Sequence, residues 1–469
     1  MTFTPLLLVG VLLYGIPLAL ALDPRLRGVT LAGASFLLGA GAAGLHLFAL
    51  SVMQVPWTRT SVVLSMIPLF ASVILSRHGR LRWLAKPRAR CTTLAGLDDT
   101  DDVFDVIRSR RSAAKDQGSP LVDRAMRAFR EDSLDPSLRS GFAFGGALPD
   151  LLTIAVVVAY AIFALWAAPY EWDFYGIWGL KARWFFETRG MDWATVPQIG
   201  KADYPVLMPL LFDFVAVVTK SWNDRAFGWI YVFLCASLLA IARGMFADEV
   251  KHPALATLAI AFPTLNLWIG LAEAGVMAFG CAGLLFIRRG SIALGAVLLG
   301  LAAWSKNEGL ALIAVAAVAL FIATRSIRRV IGLWPAIAII APWMITRSML
   351  RLSTDFMEGS TMQRVLERLG NPSEVVQAFV NAPPDQPWFW LAALLAVVVF
   401  LRDAIRRETF LLLAVALQLG LMFAQALATT WDFAAHVSLT LNRLPHQIAP
   451  AAGFLAVMVL SRVRPKIST

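Results

Sequence analysis

The chain has 469 residues, 58% of them hydrophobic and 16% charged, with mean hydropathy +0.67 and formal net charge +11. A soluble domain is about half apolar and about a quarter charged, so these values exclude a soluble globular protein, a disordered chain and a disulfide scaffold. The apolar runs are long, continuous and rich in Leu, Ala and Ile, whereas a transmembrane β-barrel shows short alternating segments. An all-α polytopic membrane protein is the class that remains. Its basic residues sit at the ends of apolar runs, so the positive-inside bias accounts for the charge and no nucleic-acid partner is expected.

About 20 apolar residues make a spanning helix. The runs at 3–22, 29–50 and 58–76 form an N-terminal three-helix membrane extension, 1–76. The first run has no basic leader region and no clear A-x-A cleavage site, so it is expected to be a retained helix. Residues 77–146 are a cytoplasmic insertion that opens with Arg77, Arg80, Arg82, Lys86, Arg88 and Arg90. Its acidic patch at 98–102 lacks the Gly and terminal Glu of a calcium loop and reads as a solvated charged face. A catalytic membrane core, 147–348, holds runs at 147–168, 204–220, 226–243, 254–270, 274–287, 291–304, 309–323 and 330–348, with an external loop at 169–225. An external loop at 349–386 carries a helix-start pattern, Asn371-Pro372-Ser373-Glu374. Runs at 387–401, 408–428 and 445–461 complete the C-terminal membrane helices, 387–469.

Parity decides how these runs are used. Arg288/Arg289, Arg325/Arg328/Arg329, Arg402/Arg406/Arg407 and Arg462/Arg464/Lys466 place their ends in the cytoplasm. Counting back from the C-terminus, and forward from the basic loop, makes 204–220 begin and end outside. That run, opened by Tyr204-Pro205 and carrying Asp213, is therefore expected to lie half-inserted or along the surface. About 13 transmembrane helices follow, with an external N-terminus and a cytoplasmic C-terminus.

The same count gathers the ionisable residues of the loops on the external face, where charges at membrane depth point to function. Glu171-Trp172-Asp173 follows the span 147–168; its plain alternative is an acid facing water beside an interfacial aromatic. Asp203 precedes Tyr204-Pro205 and alternatively caps a helix. Glu273 stands between two apolar runs, where a solvated turn glutamate is the alternative. Lys306-Asn307-Glu308-Gly309 separates two further runs, and a bare turn there would need only Asn and Gly. Arg443-Leu444-Pro445-His446 opens the last run.

In this order and on this side, the motifs resemble the GT-C superfamily of polyprenyl-phosphate-dependent glycosyltransferases, in particular the lipid A aminoarabinose and protein O-mannosyltransferase branches. The resemblance covers about 147–461. Asp173, with Glu171 beside it, matches the catalytic acid of the first external loop. Residues 176–189 resemble its juxtamembrane helices, and Tyr204-Pro205 its tyrosine-proline motif, with Val206 where a second proline is usual. Glu273 stands where the second external acid, usually aspartate, is found. Lys306 matches the lysine of a threonine-lysine-glycine turn, with two residues added before Gly309. Arg443-Leu444 matches an arginine-tyrosine turn, with Leu444 replacing tyrosine.

The resemblance implies an inverting transferase in a bacterial inner membrane, with its site facing the periplasm or exterior. It moves a sugar from a polyprenyl-phosphate donor to a hydroxyl of a lipid, glycan or protein acceptor. Asp173, Glu273 and Glu171 are the implied catalytic acids. Lys306, Arg443 and Tyr204 would hold the donor phosphate; Asn307, Glu308, His446 and Trp172 would contact substrate. Asp173 and Glu273 are also candidates to share a divalent cation, since hard cations prefer carboxylate oxygens. Two rival functions are an O-antigen ligase or polymerase, using Asp432, His436, Arg443 and His446, and a polytopic transporter or flippase.

Overall fold

The computed structural model describes residues 3–67, 144–265, 269–352 and 361–461; the patch at 98–102 and the basic residues at 77–90 and 462–466 lie outside these ranges. Among the described residues the only regular elements are helices. α1 (Thr4–Leu22), α2 (Gly28–Val52) and α3 (59–67) come first, and α4 is Phe144–Ala167. A π-helical turn, Phe174–Trp178, leads into α5 (Gly179–Thr188); then come α6 (Leu207–Thr219), α7 (Asp224–Glu249) and α8 (Pro253–Thr264). α9 spans 273–288 and contains a second π-helical turn, Val276–Gly280. α10 (Ile292–Ser305), α11 (Asn307–Thr324) and α12 (Ile327–Met349) follow. The short α13 (Thr361–Leu369) and α14 (Pro372–Asn381) precede α15 (Pro387–Val399), α16 (Leu401–Arg407), α17 (Thr409–Ala428), α18 (Phe433–Thr440) and α19 (Ala449–Leu460).

Seven of these helices are long and apolar enough to cross a membrane, or eight if α15 and α16, bent by 81°, form one span. The chain is thus an all-α membrane protein. Apolar side chains such as Leu151, Ile154, Ile162, Leu391, Leu394 and Val398 stay exposed on α4 and α15, as lipid-facing surface requires. α6, α8, α10 and α19 are shorter, at 12 to 14 residues. At 1.5 Å per residue, the 13-residue α6 is about 20 Å long, against about 30 Å of hydrocarbon.

One hydrophobic core runs from Leu8 to Val459. The N-terminal helices belong to it rather than forming a separate layer: α2 packs on α1, α6 and α7, with Phe36 against Phe233 (5.1 Å between ring centroids) and Phe48 edge-on to Trp304 (4.9 Å). A small second core joins α13 and α14 to the ends of α17 and α18 through Val375, Ala378, Leu427, Phe433 and Val437. Arg368 ties this cap down by donating to the carbonyls of Leu427 (2.6 Å) and Thr429 (2.9 Å).

Ion pairs mark the two ends of the bundle. At one end Arg288 bridges Glu408 (2.6 Å) and Glu249 (2.7 Å), and Arg243 pairs with Asp150 (3.0 Å). Arg25 reaches Ser291 there (3.2 Å), joining the α1–α2 turn to the start of α10. The candidate site lies at the opposite end.

Candidate active site

Asp173 and Glu273 each stand just before a stretch of irregular helix. Asp173 immediately precedes the π turn Phe174–Trp178, and Glu273 opens α9 three residues before the π turn Val276–Gly280. Such turns insert one extra residue and re-aim what lies beside them. The loop leading to Glu273 runs directly beneath the one carrying Asp173. Gly270 makes this crossing with φ +99°, and a Cβ there would lie 2.7 Å from Pro169 and 2.8 Å from Phe174.

Lys306 is a single extended residue between α10 and α11, with φ −163° and ψ 157°. Gly309 lets the two helices meet so abruptly: a Cβ there would stand 2.2 Å from the Ala302 carbonyl. The sharp break turns the Lys306 side chain into the interior, where its Nζ lies 3.0 Å from Glu273 Oε1 and 3.0 Å from Glu308 Oε1. Burial works against the ammonium, but Glu273 and Glu308 outweigh it and hold its pKa above the ordinary lysine value.

Arg443 comes from the turn before α19. Its Nη1 donates to Asp173 Oδ2 at 2.8 Å, and its Nε lies 3.5 Å from Glu273 Oε1. Burial again opposes the charge; Glu273 and Asp173 overcome it and raise the pKa. The guanidinium therefore sits between the two carboxylates named as candidates to share a divalent ion. Among the described residues no three His, Cys, Asp or Glu side chains are grouped to hold a metal.

Asp173, Glu273, Lys306, Glu308 and Arg443 are thus brought into one buried network from four stretches of chain. Asn307 adjoins it, its amide 3.3 Å from Asp203 Oδ2. Asp203 is not a helix cap: α6 begins at Leu207 after Val206, without a side-chain cap, and the Asp203 carboxylate faces Asn307 and Arg347 instead. Tyr204 lays its ring beside Trp178 (5.5 Å), and burial, followed by Glu308, pushes its phenol above the usual range. Glu171 stands at the rim with its pKa raised by partial burial, with Arg443 opposing. Trp172 is not drawn in; it is 74% exposed.

His446 is buried beside Leu265, its Nε2 without a hydrogen-bond partner, and burial lowers its pKa to about 4, so the ring is neutral. One oxygen of Glu273 and both polar atoms of the Gln447 amide are likewise buried and unpartnered. Buried polar atoms are normally satisfied by protein groups or water, so these atoms are open to a polar partner. Of the residues offered for the ligase alternative, Arg443 and His446 belong to this site, and Asp432 and His436 lie at α18. Asp432 caps α18 through Ala435 N (2.8 Å), and His436 packs edge-on to Trp431.

One site residue, Arg347, escaped the sequence reading, and a second, Lys181, was read only as one of the ionisable residues of the external face. Arg347, near the end of α12, faces Asp203 at 3.9 Å. Lys181 on α5 is buried and donates to the carbonyls of Lys201 (2.5 Å) and Tyr204 (3.3 Å), holding the turn that carries Asp203; burial lowers its pKa to about 7. Arg347 lies within an apolar run that hides it. The available signal was its position, a basic residue at the end of a span opposite the main arginine clusters. Comparisons with protein-family models, with curated proteins and with solved structures found no match for this chain.

Proposed function

We propose that the protein is an inverting membrane glycosyltransferase that takes a sugar from a polyprenyl-phosphate donor and transfers it to a hydroxyl of a lipid, glycan or protein on the outer side of a bacterial plasma membrane. The observation that carries this reading is the buried network in which Arg443 joins Asp173 to Glu273, and Glu273 pairs with Lys306. A network this polar is costly at membrane depth, and its cost is accounted for when it does chemistry.

The end of the bundle bearing Arg288, Arg243 and Arg25 is the cytoplasmic one on this reading. Helix ends then alternate between faces and give thirteen crossings, with the shorter helices completed by their flanks. α6 is not among them. It starts beside Tyr204, and the turn after it sets Trp222 against Arg183 (5.3 Å) and Phe186 (5.8 Å) of α5, so both its ends lie on the site's side.

In the reaction, the acceptor oxygen attacks the anomeric carbon while Asp173 takes its proton. The bond from that carbon to the phosphate oxygen breaks, and the electron pair leaves with the phosphate. One displacement inverts the anomeric centre. The leaving phosphate is a weak base and needs neutralisation more than a proton, which Lys306 and Arg443 supply. Glu273 holds both cations in place, and its unpartnered oxygen, with His446 and Gln447, receives sugar or acceptor hydroxyls. The polyprenyl chain lies against the apolar flanks of the spans.

Native mass spectrometry of the protein released gently from detergent tests the donor class. A bound polyprenyl monophosphate, bare or carrying one sugar, is the expected species. An intact polyprenyl-diphosphate glycan would instead favour the ligase chemistry.

A further inference from the structure

The cations assigned to the donor phosphate are already engaged. Lys306 has a carboxylate oxygen 3.0 Å away on each of two sides, and Arg443 has one at 2.8 Å and another at 3.5 Å. Both can neutralise a departing phosphate through their charge, but a phosphate docking directly on either would have to compete with carboxylates already in place. Arg347 differs. Its nearest acid is Asp203 at 3.9 Å, beyond hydrogen-bond distance, and that same carboxylate oxygen is also met by Asn307 at 3.3 Å. Its Nε makes a long contact to the Leu352 carbonyl (3.4 Å), and among the described residues its Nη1 makes no hydrogen bond. The side chain keeps 20% of its surface open. The guanidinium is therefore close to the network yet largely uncommitted.

Its place along the chain points the same way. Arg347 and the exposed Arg351 stand at the end of α12 opposite Arg325, Arg328 and Arg329. On the orientation proposed above, that is the side from which basic residues are normally depleted. A basic residue kept there, 3.9 Å from its nearest acid, has charge to offer an anionic ligand.

We infer that Arg347 receives the phosphate of the lipid-linked donor, with the Asn307 amide beside it, before the sugar reaches Asp173. The inference rests on the transferase reading and adds to it a residue that recognises the donor by its charge. A guanidinium meets phosphate oxygens through a planar fork, which a lysine ammonium reproduces only as a point charge.

The test is binding of farnesyl phosphate to the full-length protein in detergent, with farnesol as the tail-only control and inorganic phosphate as the head-only control. The wild type is expected to bind farnesyl phosphate at least about tenfold more tightly than farnesol, with inorganic phosphate a weak competitor. Arg347→Ala and the better-packed Arg347→Gln are expected to lose most of that preference while binding farnesol as the wild type does. Arg347→Lys is expected to keep part of it. Unchanged farnesol binding reports that the variants are folded. If the wild type discriminates and both neutral variants discriminate equally well, the inference is overturned while the transferase reading stands. If the wild type does not distinguish the phosphate from the alcohol, the transferase reading falls and takes the inference with it.

Discussion

Asp173 and Lys181 show how burial and partners set the work of single residues. Asp173 lies at the open edge of the network, with one oxygen bonded to Arg443. A positioned general base is worth roughly 10²–10⁴ in rate. Asp173→Asn keeps the shape and one acceptor for Arg443, so the variant is expected to fold and to bind donor while turnover falls by about that factor; a steady-state assay beside donor binding checks it. Lys181 gives a pH prediction. Its ammonium is destabilised by burial, so its pKa falls to about 7, whereas an unfolded lysine titrates near 10.4. Between those values the unfolded chain binds more protons than the native one, so this residue makes stability rise with pH from about 7 toward 10. Thermal unfolding in detergent should show that rise, and Lys181→Met should flatten it. Arg443 and Lys306 were legible as cations at the ends of apolar runs. Arg347 was not, because it lies inside an apolar run and reads as the ordinary end of a span.

The elements of the site depend on irregularities that hydrophobic periodicity does not register. The long apolar runs announced their helices, and the parity of the basic loops singled out 204–220 as different. The corresponding helix, α6, is short and buried along most of its length. Two features stayed hidden, the π turns after the acids and the 81° bend between α15 and α16. A π turn differs from regular helix by one residue in five, and the single glycine in each of Phe174–Trp178 and Val276–Gly280 weakens a helix without specifying a π turn. Deleting Phe279 should convert the second turn to α-helix and rotate Glu273 by about 100° relative to the rest of α9. Loss of activity with wild-type expression and detergent extraction is the expected outcome; full activity would show that the turn does not aim Glu273. The α10–α11 break gives a stability prediction. Gly309→Ala puts a methyl group 2.2 Å from the Ala302 carbonyl, an overpacking expected to cost about 1–3 kcal/mol, read as a lower thermal midpoint.

At the scale of the whole molecule, an apolar bundle carries its exceptions at its ends. One end holds Arg288, Glu249, Glu408, Arg243 and Asp150 in ion pairs. The other holds the buried network, which needs α4, α9, α10, α11 and α19 assembled together before any of its charges is satisfied. That is why the sequence revealed which residues face one side but not who pairs with whom: Asp173 and Arg443 are 270 positions apart. It is also why the N-terminal helices, which lack site residues, read as an added module although α2 packs into the centre. The most direct test of the account is sugar transfer by protein reconstituted in liposomes, supplied with polyprenyl-monophosphate sugars and a membrane extract as acceptor, and read by release of free polyprenyl phosphate. The account predicts release that needs acceptor, inverts the anomeric centre and is lost in Asp173→Asn. Equal release by the wild type and Asp173→Asn, or a product with retained configuration, would contradict it.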